Sequence, residues 1–177
     1  MYFSTFEKGF YDIKGNGDKK LVTDLMTRVK VRSKIINEAS LYDKYDVPSG
    51  ERPEHTAFKH FGSTEYHWVI LLTNNITDAY YGWPLSEQDF QTFVNDKYAN
   101  ADAVHHYELT QSSGKQTGNG PEDYSHKLEV NSDTLGAQAV SNREYEQRLQ
   151  DKKRSIQLLN PSYLSTFIDE FKKLASV

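Results

Sequence analysis

The sequence contains no cysteine. That excludes disulfides, zinc–thiolate centres and a cysteine nucleophile, and it fits a chain that folds in a reducing cytoplasm. Long hydrophobic runs are also missing. No stretch approaches the ~18 apolar residues of a membrane-spanning helix. The opening MYFSTFEKGFYDI has neither the basic region nor the continuous apolar region of a secretion signal, so no membrane partner and no export are expected. Positive charge is not in excess: 21 Lys and Arg stand against 25 Asp and Glu, for a net charge of −4. That balance does not suggest a nucleic-acid partner. Apolar residues are scarce at 37%, below the ~45–50%, glycine included, of an ordinary domain. A small core is expected for 177 residues, with part of the chain packing against something else.

Signatures of catalysis are missing as well. There is no G-x-S-x-G elbow. Gly15-Asn16-Gly17 lacks the Lys and Ser/Thr that follow a phosphate-binding glycine loop. The acid pairs Glu51/Glu54 and Asp43/Asp46 fall in turns and caps, where helix dipoles favour carboxylates, and their spacing sets no water-holding geometry for a glycosidase. Neither enzymatic activity nor a cofactor is expected.

What the chain does have is aromatic: 12 Tyr, 9 Phe and 2 Trp. Tyr and Trp combine a large apolar body with a polar handle, which suits interfaces as well as cores. YFSTF and FYDI alternate roughly as strands do, with a turn at Gly15-Asn16-Gly17-Asp18 before LVT. Thr23-Asp24 is expected to cap a short helix through about Val29, and 28–38 reads as a strand or irregular link. Tyr45-Asp46-Val47 is a short strand ended by Pro48-Ser49-Gly50. Pro53 takes the first position of a helix reaching Phe61, with Ala57, Phe58 and Phe61 inward and Gly62 as its left-handed stop. Ser63 or Thr64 caps a second helix that stops at Asn74-Asn75. Ser86 and Asp89 suggest a capping box for a helix with Phe90, Phe93 and Val94 inward. AVHHYEL reads as a strand, 110–126 as a loop longer than compact domains use, and 127–130 as a further strand. Ser141 and Glu144 open a charged helix, with Arg148 placed to pair with Glu144 and a solvated basic end at Lys152-Lys153-Arg154. SIQLL is a strand. Asn160-Pro161 opens a final helix with Leu164, Phe167, Ile168, Phe171 and Leu174 on its apolar face.

The stretch from Tyr45 to Asp78 carries three histidines, but their spacing is wrong for a metal. His55 and His60 lie five apart and point in different directions on a helix, whereas a zinc pair needs i,i+4. His67 belongs to another element, and His105 and His106 face opposite sides of a strand. The histidines are read as solvated or hydrogen-bonded, and no metal is expected. Tyr80-Tyr81-Gly82-Trp83 is different. Three rings in one turn do not all reach a core, so Tyr80, Tyr81 and Trp83 are candidate partner-binding residues, unless Trp83 packs back on the helix of Trp68.

The patterns Y-x-V-x-S-G-E, P-x-x-x-A-x-x-x-F-G and W-x-x-x-x-x-N-N-I-x-D resemble a LysM domain. Such domains are small βααβ units, many of which bind the N-acetylglucosamine of peptidoglycan or chitin. The resemblance implies a sugar groove between Gly50, Glu51, Arg52 and Pro53 on one side and Asn75, Ile76, Thr77 and Asp78 on the other. Arg52-Pro53 and AYYGWPL (79–85) depart from the pattern at both rims, which favours a protein surface over a sugar.

On a wider scale, YFSTF…YDI, LVTDLMTRVKVR, ERPEH…YHWVILLTNN, VHHYEL and KKRSIQLLNP are similar to the baseplate wedge protein 53 family of contractile-tailed bacteriophages. The resemblance implies an α+β fold. It would have an N-terminal arm at 1–43, a LysM-like βααβ core at 44–86 and a C-terminal strand and helix extension at 87–177, with a flexible loop at about 110–126. It also implies a structural subunit that meets other wedge subunits, neighbouring wedges and the hub, assembled in the host cytoplasm and resident in the virion tail. A peptidoglycan-binding LysM module is the second reading, and a cell-wall hydrolase the third.

Overall fold

In the computed structural model the N-terminal residues form a short turn that delivers Tyr2 and Phe6 to a buried cluster. The structure describes residues 2–25, 28–31, 35, 38, 40–115 and 117–175. The chain forms two compact units, one made of 1–84 with 153–177 and the other of 85–152.

The first unit begins with a 3₁₀ turn, Tyr2–Thr5, where alternation had suggested a strand. Its rings explain the difference: Tyr2 stacks on Phe171 at 5.1 Å and meets Phe6 edge-on at 5.1 Å, contacts that a strand, with alternate side chains on opposite faces, does not gather. An antiparallel hairpin follows, β1 Lys8–Tyr11 and β2 Lys20–Thr23. The Asp12 carboxylate folds its loop by accepting from the backbone N–H groups of Lys14, Asn16 and Gly17. The helix expected from Thr23 to Val29 runs across residues 26 and 27, outside the described residues, and Asp24, Leu25 and 28–31 are irregular. Most of the link expected beyond 31 also lies outside them.

Strand β3 (Tyr42–Asp46), helix α1 (Pro53–Phe61) and helix α2 (His67–Thr73) come next. Arg52 is the extended N-cap of α1, Pro53 is its first residue, and Gly62 closes it at φ 77°. Ser63 accepts from Glu65 N–H at the entry to α2, which a 3₁₀ turn, Thr64–Tyr66, precedes. The partner of β3 lies far along the chain: β7, Ser155–Leu159, pairs with it antiparallel from Tyr42↔Leu159 to Asp46↔Ser155. The order strand–helix–helix–strand is therefore completed by SIQLL, after the whole second unit. Its core gathers Val47, Ala57, Ile70, Trp83, Ile156 and Leu158.

A second cluster in this unit joins Phe6, Phe171 and Ala175 to Tyr2, Trp68 and Leu72. Phe171 and Ala175 come from the last helix, Leu164–Ala175, which an Asn160-capped 3₁₀ turn opens. Its buried side holds Phe171 and Ala175 rather than Leu174, which is 58% exposed. Phe58 on α1 likewise points outward, at 60% exposed, and Thr56 takes an inward place.

The second unit holds helix α3 (Glu87–Lys97) and a three-stranded antiparallel sheet ordered β5-β4-β6. The strands are β4 (Val104–Gln111), β5 (His126–Val130) and β6 (Gln138–Ser141). Most of helix α4 (Asn142–Arg154) also belongs to it, and the final helix of the chain is α5. Ser86 caps α3 through Asp89 N–H, as its sequence suggests. Strand β6 has no sequence signal of its own, being short and mostly exposed. Part of the long loop is laddered onto itself: Ser113 N–H donates to Asp123 O, Asp123 N–H donates to Gly114 O, and Lys115 bridges Glu122.

Apolar burial in this unit is modest, and polar groups complete the interior. Glu146 is 2% exposed and accepts from Lys97 Nζ and Tyr98 OH, each at 2.7 Å. Arg148 donates through Nη1 to both oxygens of Glu108 at 2.7 Å and through Nη2 to Glu144. The helix that reads as a solvated charged rod therefore turns Glu146 and Gln150 inward.

Candidate functional site

The loop after β3 and the segment after α2 hold every residue that the sequence nominates. Gly50 sits at φ 78°, a backbone that L side chains rarely adopt, and turns the chain from β3 toward α1. Glu51 follows it into the interior, at 8% exposed. Its Oε1 accepts from Tyr45 OH at 2.9 Å and Thr56 Oγ1 at 2.7 Å, and Oε2 accepts from Lys59 Nζ. Burial alone would raise the Glu51 carboxyl, but the hydrogen bonds from Lys59, Thr56 and Tyr45 outweigh it and hold the group below its ordinary value. Both carboxylate oxygens are thus engaged inside the chain.

Trp83 closes the same loop from the other side. Its indole N–H donates to Glu51 O at 2.7 Å, and the ring is 5% exposed in the main core cluster with Ile70. This corrects the nomination of Trp83 as a partner-binding residue: a ring this deeply buried offers a partner no surface. Tyr80 and Tyr81 are the opposite, at 74% and 66% exposed. Their rings meet edge-on at 4.9 Å. The turn beneath them is firmly built. Asp78 Oδ1 accepts from Tyr80 N–H and Tyr81 N–H at 2.8 and 3.1 Å, and Gly82 N–H donates to Asp78 O at 2.8 Å. A Cβ on Gly82 would stand 2.6 Å from that oxygen, so only glycine fits there. Lys153 Nζ donates to Tyr81 O at 2.8 Å. Two large rings thus stand in solvent on a hydrogen-bonded turn.

Asn75, Ile76 and Thr77 line a groove of about 520 Å³ with Tyr2, Phe3 and Phe6 of the N-terminal arm. Gly50, Glu51 and Arg52 are not among its lining residues. Asn75, at φ 54°, accepts from Arg28 Nη2 at 3.0 Å, Ile76 packs against the main core, and Asp78 holds the tyrosine turn. The neighbouring Asn74 has a role that its turn propensity does not reveal. Its Oδ1 accepts from Gln157 N–H and its Nδ2 donates to Gln157 O, both at 2.8 Å. The side-chain amide acts as a one-residue strand on the side of β7 away from β3.

His60 and His67 serve structure. His60 Nε2 bonds Leu159 O at 2.8 Å, tying α1 to β7, and His67 Nδ1 bonds Thr64 O at 2.9 Å. Sequence reasoning missed Thr56, Lys59 and Asn74 as the residues that fix the loop and the closing strand. Lys59 carried no signal of this role, because Glu51 lies before the helix and a helical lysine reads as a surface residue.

The site so described is a hydrogen-bonded tyrosine turn beside a loop whose carboxylate is engaged internally. Comparison with known proteins is specific. The family described as base plate wedge protein 53 matches residues 1–111, and the chain belongs to that family. It is also similar to the baseplate wedge protein gp53 of Enterobacteria phage T4, at 26% identity over 99 residues, or 56% of this chain and 50% of that protein. The chain thus matches about half the length of this curated relative. The family match ends at the close of β4, so KKRSIQLLNP, which carried much of the resemblance, lies beyond it.

Proposed function

We propose that this chain is a non-enzymatic structural subunit of a contractile-tail baseplate, a wedge component that joins wedge proteins around the central hub and meets neighbouring wedges. It is assembled in the host cytoplasm and carried in the virion tail. Family membership over residues 1–111 is the observation that carries the reading. The geometry supports it: the exposed, backbone-locked Tyr80 and Tyr81 suit docking to protein. A LysM-like core belongs to the proposal, composed of β3, α1, α2 and β7, and the strand–helix–helix–strand order supports it.

Peptidoglycan is the weaker partner because two of the polar groups such a groove would offer, the Glu51 carboxylate and Asn75 Oδ1, are already bonded. Glu51 is held by Tyr45, Thr56 and Lys59, and Asn75 by Arg28. The test is sedimentation with insoluble peptidoglycan. The expected result is no saturable binding. Saturable binding that disappears in the Asn75→Ala and Asp78→Ala variants would establish the sugar-binding module instead.

A further inference from the structure

The rule that sends neighbouring side chains of a strand to opposite faces fails at His105. In the pairing of β4 with β6, Val104 meets Ser141 and His106 meets Val140, so the register shifts across His105. A bulge of this kind leaves one residue unpaired and re-aims its side chain. His105 and His106 consequently meet, with their Nδ1 atoms 2.9 Å apart. His105 lies flat on Tyr145 of α4, with 4.0 Å between ring centroids and 11° between planes. His106 is anchored at its other nitrogen: Nε2–H donates to Glu108 Oε1 at 2.9 Å. The protons of the pair follow by elimination. The Glu108 carboxyl, lowered to about 2, is ionised and only accepts, so His106 Nε2 carries hydrogen. The bond between the two Nδ1 atoms holds one hydrogen. In the uncharged pair it belongs to His105, because neutral His106 already has its own, and His105 Nε2 is bare. A first added proton goes to His105 Nε2 and breaks nothing. A second has only His106 Nδ1 left to take, and two N–H groups then face each other.

We propose that His105 and His106 form a proton-operated clasp between β4 and α4, closed with no added proton or one, and open when both imidazoles are charged. Imidazole is the side chain that charges between about pH 5 and 8, above the range in which Glu108 takes up its proton. His106 stays on the Glu108 carboxylate, which favours its charge. His105, at the exposed bulge, is therefore the ring that leaves, and its stack on Tyr145 goes with it. The surrounding ions do not reverse this, because each acid already has a basic partner. Glu108 is met by Arg148 of α4 and Lys127 of β5. Glu144 of α4 is paired with the same Arg148, and Glu146 of α4 with Lys97 of α3 and the Tyr98 hydroxyl. Asp102, ahead of β4, pairs with Arg143 of α4. Strand β6, Gln138–Ser141, brings no titratable side chain. The shared hydrogen between the two rings thus decides when the clasp opens.

The test is nuclear magnetic resonance of the full chain labelled with nitrogen-15, followed from about pH 8 down to about pH 4.5, a range in which imidazoles charge and Glu108 stays ionised. At the alkaline end the expected result is His105 as the Nδ1–H tautomer and His106 as the Nε2–H tautomer, with a scalar coupling between the two Nδ1 atoms across their hydrogen bond. The coupling is expected to survive the first proton and to vanish with the second, together with the ring-current shift that His105 imposes on Tyr145. His105→Gln changes an exposed position. It is expected to keep the parent signals of Leu128 on β5 and to lose at least half of the pH response of the Tyr145 ring. Absence of the coupling at the alkaline end, or His105 as the Nε2–H tautomer, overturns the clasp. So does a coupling or a Tyr145 stack that persists to the acid end. A Tyr145 response in His105→Gln equal to the parent's overturns it as well.

Discussion

Three side chains set the behaviour of this molecule at the residue scale. Asn74 satisfies the N–H and C=O of Gln157 with one amide. Asn74→Ala leaves both groups unpaired in a half-buried place, and urea denaturation is expected to show a loss of about 2–3 kcal/mol, the cost of two orphaned groups. Glu51→Ala removes the acceptor of Tyr45 OH and the shorter of the two bonds of Thr56 Oγ1, which keeps Arg52 O, and is expected to lose about 1–2 kcal/mol. Glu108 makes the chain sensitive to acid. Burial raises its carboxyl, but Arg148, His106 and Lys127 prevail and lower it from 4.5 to about 2. A depressed carboxyl contributes stability that is complete above its unfolded value and is lost as pH falls through the folded one. Glu108 therefore contributes up to about 3 kcal/mol above pH 4.5, shrinking between pH 4.5 and 2. Denaturation midpoints against pH are expected to fall in that window, and to fall less in Glu108→Gln.

Local rules were legible at the element scale and distant ones were not. Pro53 and Gly62 bracket α1, and Ser86 caps α3, because those features depend on a few consecutive residues. SIQLL reads as a strand for the same reason, but its pairing with Tyr42–Asp46 is carried by no local pattern. The inward turn of Glu51 and Glu146 was equally hidden. A glutamate reads as exposed until its donors are known, and Lys97 and Tyr98 reach Glu146 from another helix region. Trp83 was ambiguous in sequence because its burial depends on accepting places in three other elements. The pairing of β3 with β7 has a direct consequence. A fragment of 44–86 contains α1, α2 and only the end of β3, lacks Tyr42, Ile156 and Leu158, and is expected to give no cooperative thermal transition. Chain ending at 152 is expected to lose the core for the same reason. A cooperative transition in the 44–86 fragment would show that β7 is dispensable.

At the scale of the whole molecule, the aromatic excess divides into two uses. Tyr2, Phe6, Trp68 and Phe171 fill a cluster in the first unit, while Tyr80, Tyr81 and Phe10 remain in solvent. The low apolar content fits the second unit, whose interior buried polar networks complete. Tyr80→Ser with Tyr81→Ser is expected to change stability by no more than about 0.5 kcal/mol, as surface changes do, because the turn is held by Asp78 and Lys153 through backbone atoms. The loss is expected in assembly. The most direct measurement is the protein composition of baseplates purified from phage carrying either the parent chain or this double variant. The account predicts the parent chain in every baseplate, and the double variant folded in the cell but depleted from assembled particles. Parent chain missing from the baseplates, or the double variant present at the parent level, would contradict it.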